Sequence, residues 1–252
     1  MEKFPELVRP VKGQTLMDQA YHRLKRDIIE LRRPPGDQFT EQEVASAWGL
    51  SKTPVREALA RLHRDGLVEP IARSGYVVAP VTLRDVSNLC DMRTLLQGEA
   101  AARCAHTGLT PDRLEHLREL GSDDGYGQLA GPLMTERLRA NFEFESIIAN
   151  GSRNERLAEA IVRIFDEIER VARITVQLEP NMPPWRSAER KAIVDAIAGR
   201  DPGAARLAMQ SRSESGKREM LDALSRSREV STAQISVPAL TTNPVISEAA
   251  SG

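Results

Sequence analysis

Lys52, Thr53 and Arg56 lie close together in the run Ser51-Lys52-Thr53-Pro54-Val55-Arg56-Glu57-Ala58-Leu59. Cations of this kind suit nucleic acid. Guanidinium and ammonium groups donate to the adjacent O6 and N7 acceptors of guanine, and one good bidentate contact contributes about 1–3 kcal/mol of discrimination. Val55, Ala58, Leu59 and Leu62 recur at helical spacing, which predicts a helix over 52–65 with those four buried and Lys52, Thr53 and Arg56 outside. Charges on an exposed helical face are ordinarily just solvated. Here their value depends on whether neighbouring elements present the start of this helix to a groove.

The neighbours predict that they do. Residues 18–31 carry Tyr21, Leu24, Ile28 and Leu31 at helical spacing and end at Pro34, Pro35 and Gly36. Thr40 and Glu43 form a Thr-x-x-Glu capping box that opens a second short helix, with Val44, Ala47 and Trp48 as its apolar residues and Gly49 as the following turn. Ser51 is the expected N-cap of the third helix, Pro54 fits its first turn, and Leu50 can staple onto Val55. After Gly66 come two β-type runs, LVEPI and YVVAPV, separated by Arg73-Ser74-Gly75. Three helices with a sharp turn and then a hairpin are the winged helix-turn-helix arrangement, whose third helix enters the major groove.

From residue 83 only helices are legible: 85–106, one opening at Thr110 and Pro111, then about 133–149, 153–178, 186–199, and a last one from Asp201-Pro202 to about 226. The stretch 122–132 reads as a loop. The expected fold is mainly α, an N-terminal winged helix-turn-helix followed by an all-α six-helix bundle. Its divisions are a flexible N-terminus over 1–15, a DNA-binding domain over 16–81, a helical domain over 82–226 and a disordered tail over 227–252.

Composition excludes other classes. The 252 residues are 40% hydrophobic and 28% charged, which is ordinary for a soluble globular chain, and no apolar run approaches membrane-span length. The N-terminus lacks the apolar core of a signal peptide, so a cytoplasmic location without membrane association is expected. Residues 1–80 hold 13 Lys and Arg against 11 Asp and Glu; nucleic-acid binding must therefore rest on particular cations and not on bulk charge. Cys90 and Cys104 fall on one predicted helix about 21 Å apart, too far to bridge, and read as small apolar filler. There is no glycine-rich phosphate loop, nucleophile elbow or HExxH, so no catalytic residue and no enzymatic activity is expected.

The stretch from Pro34 to Val81, PPGDQFTEQEVASAWGLSKTPVREALARLHRDGLVEPIARSGYVVAPV, resembles the N-terminal pattern of the GntR family of bacterial regulators. The segments ANFEFESIIANGSRNERL and ERKAIVDAIAGRDPGAARLAMQSR, with the helix around Arg93, resemble the FadR-like branch, whose FCD-type effector domain is an all-α bundle. The resemblance implies operator contacts from Lys52, Thr53 and Arg56, from Gln42 at the start of the second helix, and from Ser74 and Gly75 at the wing tip. Lys52 departs from the family's more usual Arg, exchanging a planar fork for a point charge.

The resemblance also implies a bundle site at which many members hold a divalent metal through an Asp, a His four residues later, and two His from later helices. Here those positions are Asn141, Glu145, Arg190 and Arg212, and the four histidines, His22, His63, His106 and His116, lie elsewhere. Guanidinium groups have no lone pair to give a metal, so no metal or other cofactor is expected. Two readings stay open. Arg190 and Arg212 bind a small anionic, carboxylate-type effector directly, assisted by Arg93 and Asn141 with Glu145 occupying part of the donors; or the arginines and Glu145 form a closed cluster that only ties helices together in an effector-independent dimer. The implied partners are double-stranded operator DNA, the effector and a second copy of the chain, and the implied function is regulation of transcription, with repression the commonest mode.

Overall fold

The computed structural model describes residues 15–122, 134–179 and 187–226, in two compact units divided between Ala79 and Pro80. The expected tail, the first fourteen residues of the expected flexible N-terminus, and all of the expected 122–132 loop but Ser122 lie outside the described residues.

In the first unit, helix α1 (Leu16–Ile29) starts earlier than the apolar periodicity suggests, because Thr15 caps it. The Asp18 amide donates to the Thr15 hydroxyl and the Thr15 amide donates to the Asp18 carboxylate. Thr15 is thus part of the fold, against the expectation that it belongs to a flexible end. The helix also stops short of Leu31, which is buried in a left-handed conformation, φ 59°. Strand β1 (Gln38–Phe39) follows, and then α2 (Glu41–Trp48), opened by the Thr40–Glu43 capping box and closed by left-handed Gly49. The helix α2 buries Val44 and Ala45, while Ala47, expected on its apolar face, is exposed. Helix α3 (Lys52–Arg64) buries Val55, Ala58, Leu59 and Leu62 as predicted. Ser51 occupies its N-cap position but its side chain makes no capping hydrogen bond, a correction to the expected cap.

The wing is strand β2 (Val68–Ile71) and strand β3 (Gly75–Val78), antiparallel, with β1 pairing on the other edge of β3 to give the order β1-β3-β2. One core, including Tyr21, Leu24, Ile28, Val55, Leu59, Leu62, Val68 and Val78, holds helices and sheet together, with Leu50 packed against it.

Gly75 opens β3 against the end of β1, beside Phe39 and Thr40. Its φ is +113°, and a Cβ there would lie 2.4 Å from the Phe39 carbonyl oxygen. No L side chain fits without moving backbone. Gly75→Ala is expected to destabilise the first unit by about 1–3 kcal/mol and to weaken DNA binding through the displaced wing. Calorimetric unfolding and an operator titration check this; an unchanged melting temperature would contradict it.

The second unit is helical among its described residues. It comprises α4 (Leu83–Thr107), α5 (Pro111–Ser122), α6 (Met134–Gly151), α7 (Glu155–Leu178), α8 (Ser187–Ala198) and α9 (Pro202–Arg226). A Thr82–Asp85 capping box starts α4, which lies along α9 and also meets α6, α7 and α8. Small residues permit these approaches: a Cβ on Gly98 would come within 2.8 Å of the Gln210 side chain, and one on Gly151 within 2.5 Å of Cys104 Sγ. Both cysteines are buried and free, and burial pushes both thiols up, Cys104 to about 12. They pack, and are poor nucleophiles. Among the described residues no helix is long and apolar enough to cross a membrane. The fold is therefore a winged helix-turn-helix followed by a helical bundle.

Candidate nucleic-acid interface and buried polar cluster

Lys52, Thr53 and Arg56 are exposed on the first turns of α3, and Gln42 is exposed on the first turn of α2, its amide donating to Ser46 Oγ at 2.8 Å. Arg56 is not loose. Its guanidinium makes a two-pronged contact with Glu41, Nε to both carboxylate oxygens at 3.2 and 3.1 Å and Nη2 to Oε2 at 3.0 Å. Glu41 thereby holds the fork against α2, so base contact requires exchange of this ion pair. Ser74 is exposed at the wing tip beside Arg73, which is also exposed and takes a left-handed φ of 63°. Arg73 was no candidate from sequence, though a cation in a predicted hairpin turn was a usable signal.

In the second unit the five positions singled out meet in one hydrogen-bonded cluster. Glu145, 2% exposed, accepts from Arg93 Nη2 at 2.6 Å, Arg212 Nη1 at 2.7 Å and Gln97 Nε2 at 2.5 Å, and Asn141 Nδ2 lies 3.2 Å from the same carboxylate. Asn141 Oδ1 accepts from Arg190 Nη2 at 3.2 Å and from Arg212 Nη2, and Arg190 Nη1 donates to the Leu120 carbonyl at 3.2 Å. Asn141 and Glu145 stack because α6 places i and i+4 on one face. α4 supplies Arg93 and, one turn on, Gln97; α8 supplies Arg190; α9 supplies Arg212 and Ser213, whose hydroxyl reaches Gln97 Oε1 at 3.3 Å.

Two features differ from expectation. Arg93, expected to assist a ligand, binds Glu145 directly. Gln97 and Ser213, missing from the sequence-derived set, are members; the i+4 relation of Gln97 to Arg93 was the available clue. Burial alone would raise the Glu145 carboxyl, but Arg93 and Arg212 hold it down to about 2, so it is ionised at neutral pH.

The matches to known proteins follow this division. The family model for bacterial regulatory proteins of the gntR family matches residues 16–78, and the FCD domain model matches residues 88–215, just over half of the chain. The chain belongs to the GntR family. That membership places it among DNA-binding regulators of transcription and not among enzymes. It is 27% identical over 150 residues to the HTH-type transcriptional regulator YdhC of Bacillus subtilis, covering 60% of this chain and 66% of that one. It is 32% identical over 92 residues to the HTH-type transcriptional repressor RspR of Escherichia coli, covering 36% and 40%. The chain thus spans less than two thirds of the length of these curated relatives. The solved structure of E. coli McbR/YncC has the same fold, with a TM-score of 0.67, 22% identity, and coverage of 83% and 98%.

As a GntR member with an FCD domain, the chain presents its cluster where the resemblance implies a divalent metal. The residues do not fit one. Arg190 and Arg212 only donate, and the Asn141 and Glu145 oxygens that would ligate already accept from guanidinium and amide groups. Among the described residues no three His, Cys, Asp or Glu side chains gather into a ligand set. His116 lies outside the cluster, paired with Glu143 at 2.7 Å, which raises its pKa.

Proposed function

We propose that the chain is a cytoplasmic homodimeric repressor whose affinity for operator DNA is set by a small anionic, carboxylate-type metabolite held at Arg93, Asn141, Glu145, Arg190 and Arg212. The observation that carries this reading is the convergence of three arginines on one carboxylate and one amide inside the bundle. A single carboxylate cannot neutralise three guanidinium groups, and the remaining positive charge favours an anion. Lys52, Thr53 and Arg56 read base edges in the major groove, Gln42 contacts the backbone at the start of α2, and Ser74 and Gly75 approach the adjacent groove. Dimerisation lets two modules read a palindrome. Repression agrees with the name of the E. coli relative RspR.

An anion changes operator affinity only if it binds the DNA-competent and incompetent states unequally. The test is selection of an operator from random duplexes with the purified chain, followed by anisotropy titrations with and without a panel of small carboxylates and sugar acids. A shift of at least fivefold in operator affinity by one of them is expected. The satisfied state of Glu145 favours a second reading, a closed cluster in an effector-independent dimer, and no shift with any anion would establish it over the first.

A further inference from the structure

Arg56 reaches the DNA-binding face already paired, and its partner is the better anchored of the two. Glu41 is the first residue of α2, next to the Thr40 N-cap, where the helix dipole favours a carboxylate. Phe39, two residues earlier, pairs across the sheet with Tyr76 of β3, their rings 6.3 Å apart. Tyr76 faces the Glu41 carboxylate: burial first, and then that charge, push its phenol up. The Glu41 side chain is 22% exposed against 65% for Arg56. A long, mobile arginine thus meets a carboxylate that helix and sheet hold in place, gripping it through Nε and Nη2 at 3.0 to 3.2 Å.

DNA offers this pair two kinds of acceptor. A phosphate carries a full negative charge, like the carboxylate itself. Moving the fork from Glu41 to a phosphate exchanges one anion for another and leaves the two anions side by side, an unfavourable placement. Guanine O6 and N7 are uncharged acceptors, and binding them sets no second anion beside Glu41. Phosphate contacts supply nearly all of the sequence-independent affinity. The carboxylate therefore weakens that part of binding and spares the part that reads sequence.

We propose that Glu41 is a positioning residue for DNA specificity: it withholds Arg56 from phosphates, so that the fork contributes to operator binding and not to binding of random DNA. Glu41 acts through Arg56 and touches no base. This deepens the base-reading role of Arg56 given above and rests on it. It is specificity by penalising the wrong partner, in place of a further contact to the right one.

The test titrates the full chain by anisotropy, at several salt concentrations, with the selected operator and with a random duplex of equal length. Glu41→Gln should tighten random-duplex binding about fivefold or more and move operator affinity by less than about threefold, so that operator preference falls. Its random-duplex salt dependence, log K against log salt, should steepen by about 0.9 for each phosphate contact that Arg56 gains. In an Arg56→Ala background the same substitution should leave that slope as it was. Glu41→Asp, which keeps the charge, should stay near the unmodified preference. In the chain with Glu41 intact, Arg56→Ala should leave the random-duplex slope unchanged, a result that needs no Glu41 variant to fold. Unchanged preference in Glu41→Gln would overturn the proposal, as would a fall in operator affinity with random-duplex binding unaltered, the mark of a Glu41 that itself touches a base. A random-duplex slope that flattens by a whole contact on Arg56→Ala would overturn it too. Operator preference retained in Arg56→Ala would overturn base reading by Arg56 together with the Glu41 role; preference lost there but kept in Glu41→Gln would overturn the Glu41 role alone.

Discussion

Arg56→Ala is expected to reduce affinity for the selected operator by about 100-fold or more while moving the melting temperature by no more than about 2 °C. One bidentate base contact is worth about 1–3 kcal/mol, and the proposed dimer would lose two of them. Stability should barely change, because the Arg56 side chain is 65% exposed and its only described ion pair is with Glu41 at the surface, where solvent screening leaves such pairs little net effect. The loss has a second source that must be separated from the first. Without Arg56, the Glu41 carboxylate is left unpaired beside the DNA phosphates and repels them. Arg56→Ala combined with Glu41→Gln should therefore recover binding to random duplex without recovering preference for the operator. Anisotropy titrations on both duplexes, with calorimetric unfolding of each variant, make the comparison; operator preference retained in Arg56→Ala would remove Arg56 from base reading.

The parts of this molecule that local chemistry determines were legible in the sequence. The Thr40–Glu43 box and Gly49 announce both ends of α2, and the apolar period of α3 separates the buried Val55, Ala58, Leu59 and Leu62 from the exposed Lys52, Thr53 and Arg56. Where partners distant in sequence decide the outcome, legibility fails. β1 is two residues long, too short for any alternation to be seen, and exists because β3 offers it a pairing edge and the core accepts Phe39. Ala45 is buried and Ala47 is not, a choice made by how α2 lies on its neighbours. In the bundle, Asn141, Glu145, Arg190 and Arg212 could be marked through the family's ligand spacing, whereas Ser213 looks like an ordinary solvated position until α9 packs along α4 and brings it to Gln97. Nor could periodicity reveal that Arg56 is held by Glu41, since that pair joins two helices through their relative placement.

Glu145→Ala should have the largest effect on stability, about 3–5 kcal/mol, the usual consequence of removing one partner from a buried charged group. Arg93 and Arg212 would face each other with no carboxylate between them, and Gln97 would lose its acceptor. In calorimetric unfolding this should appear as a fall on the order of 10 °C. Acid titration gives an independent sign. Because the folded-state pKa of Glu145 is depressed to about 2, its contribution to stability is fully present above the unfolded-state value of about 4.3 and is lost as pH falls through the folded value. The unmodified chain should therefore lose this stability between about pH 4.5 and pH 2, and the Ala variant should lack that part of the loss. The same variant also tests whether an anion from solution can reach the arginines. If the arginines accept an anion from solution, acetate or formate at high concentration should enter the space left by the carboxylate and restore several degrees to Glu145→Ala, well beyond what chloride does at equal ionic strength. If acetate and chloride act alike, solvent anions do not reach the arginines, which then serve only to fasten α4, α8 and α9 to α6.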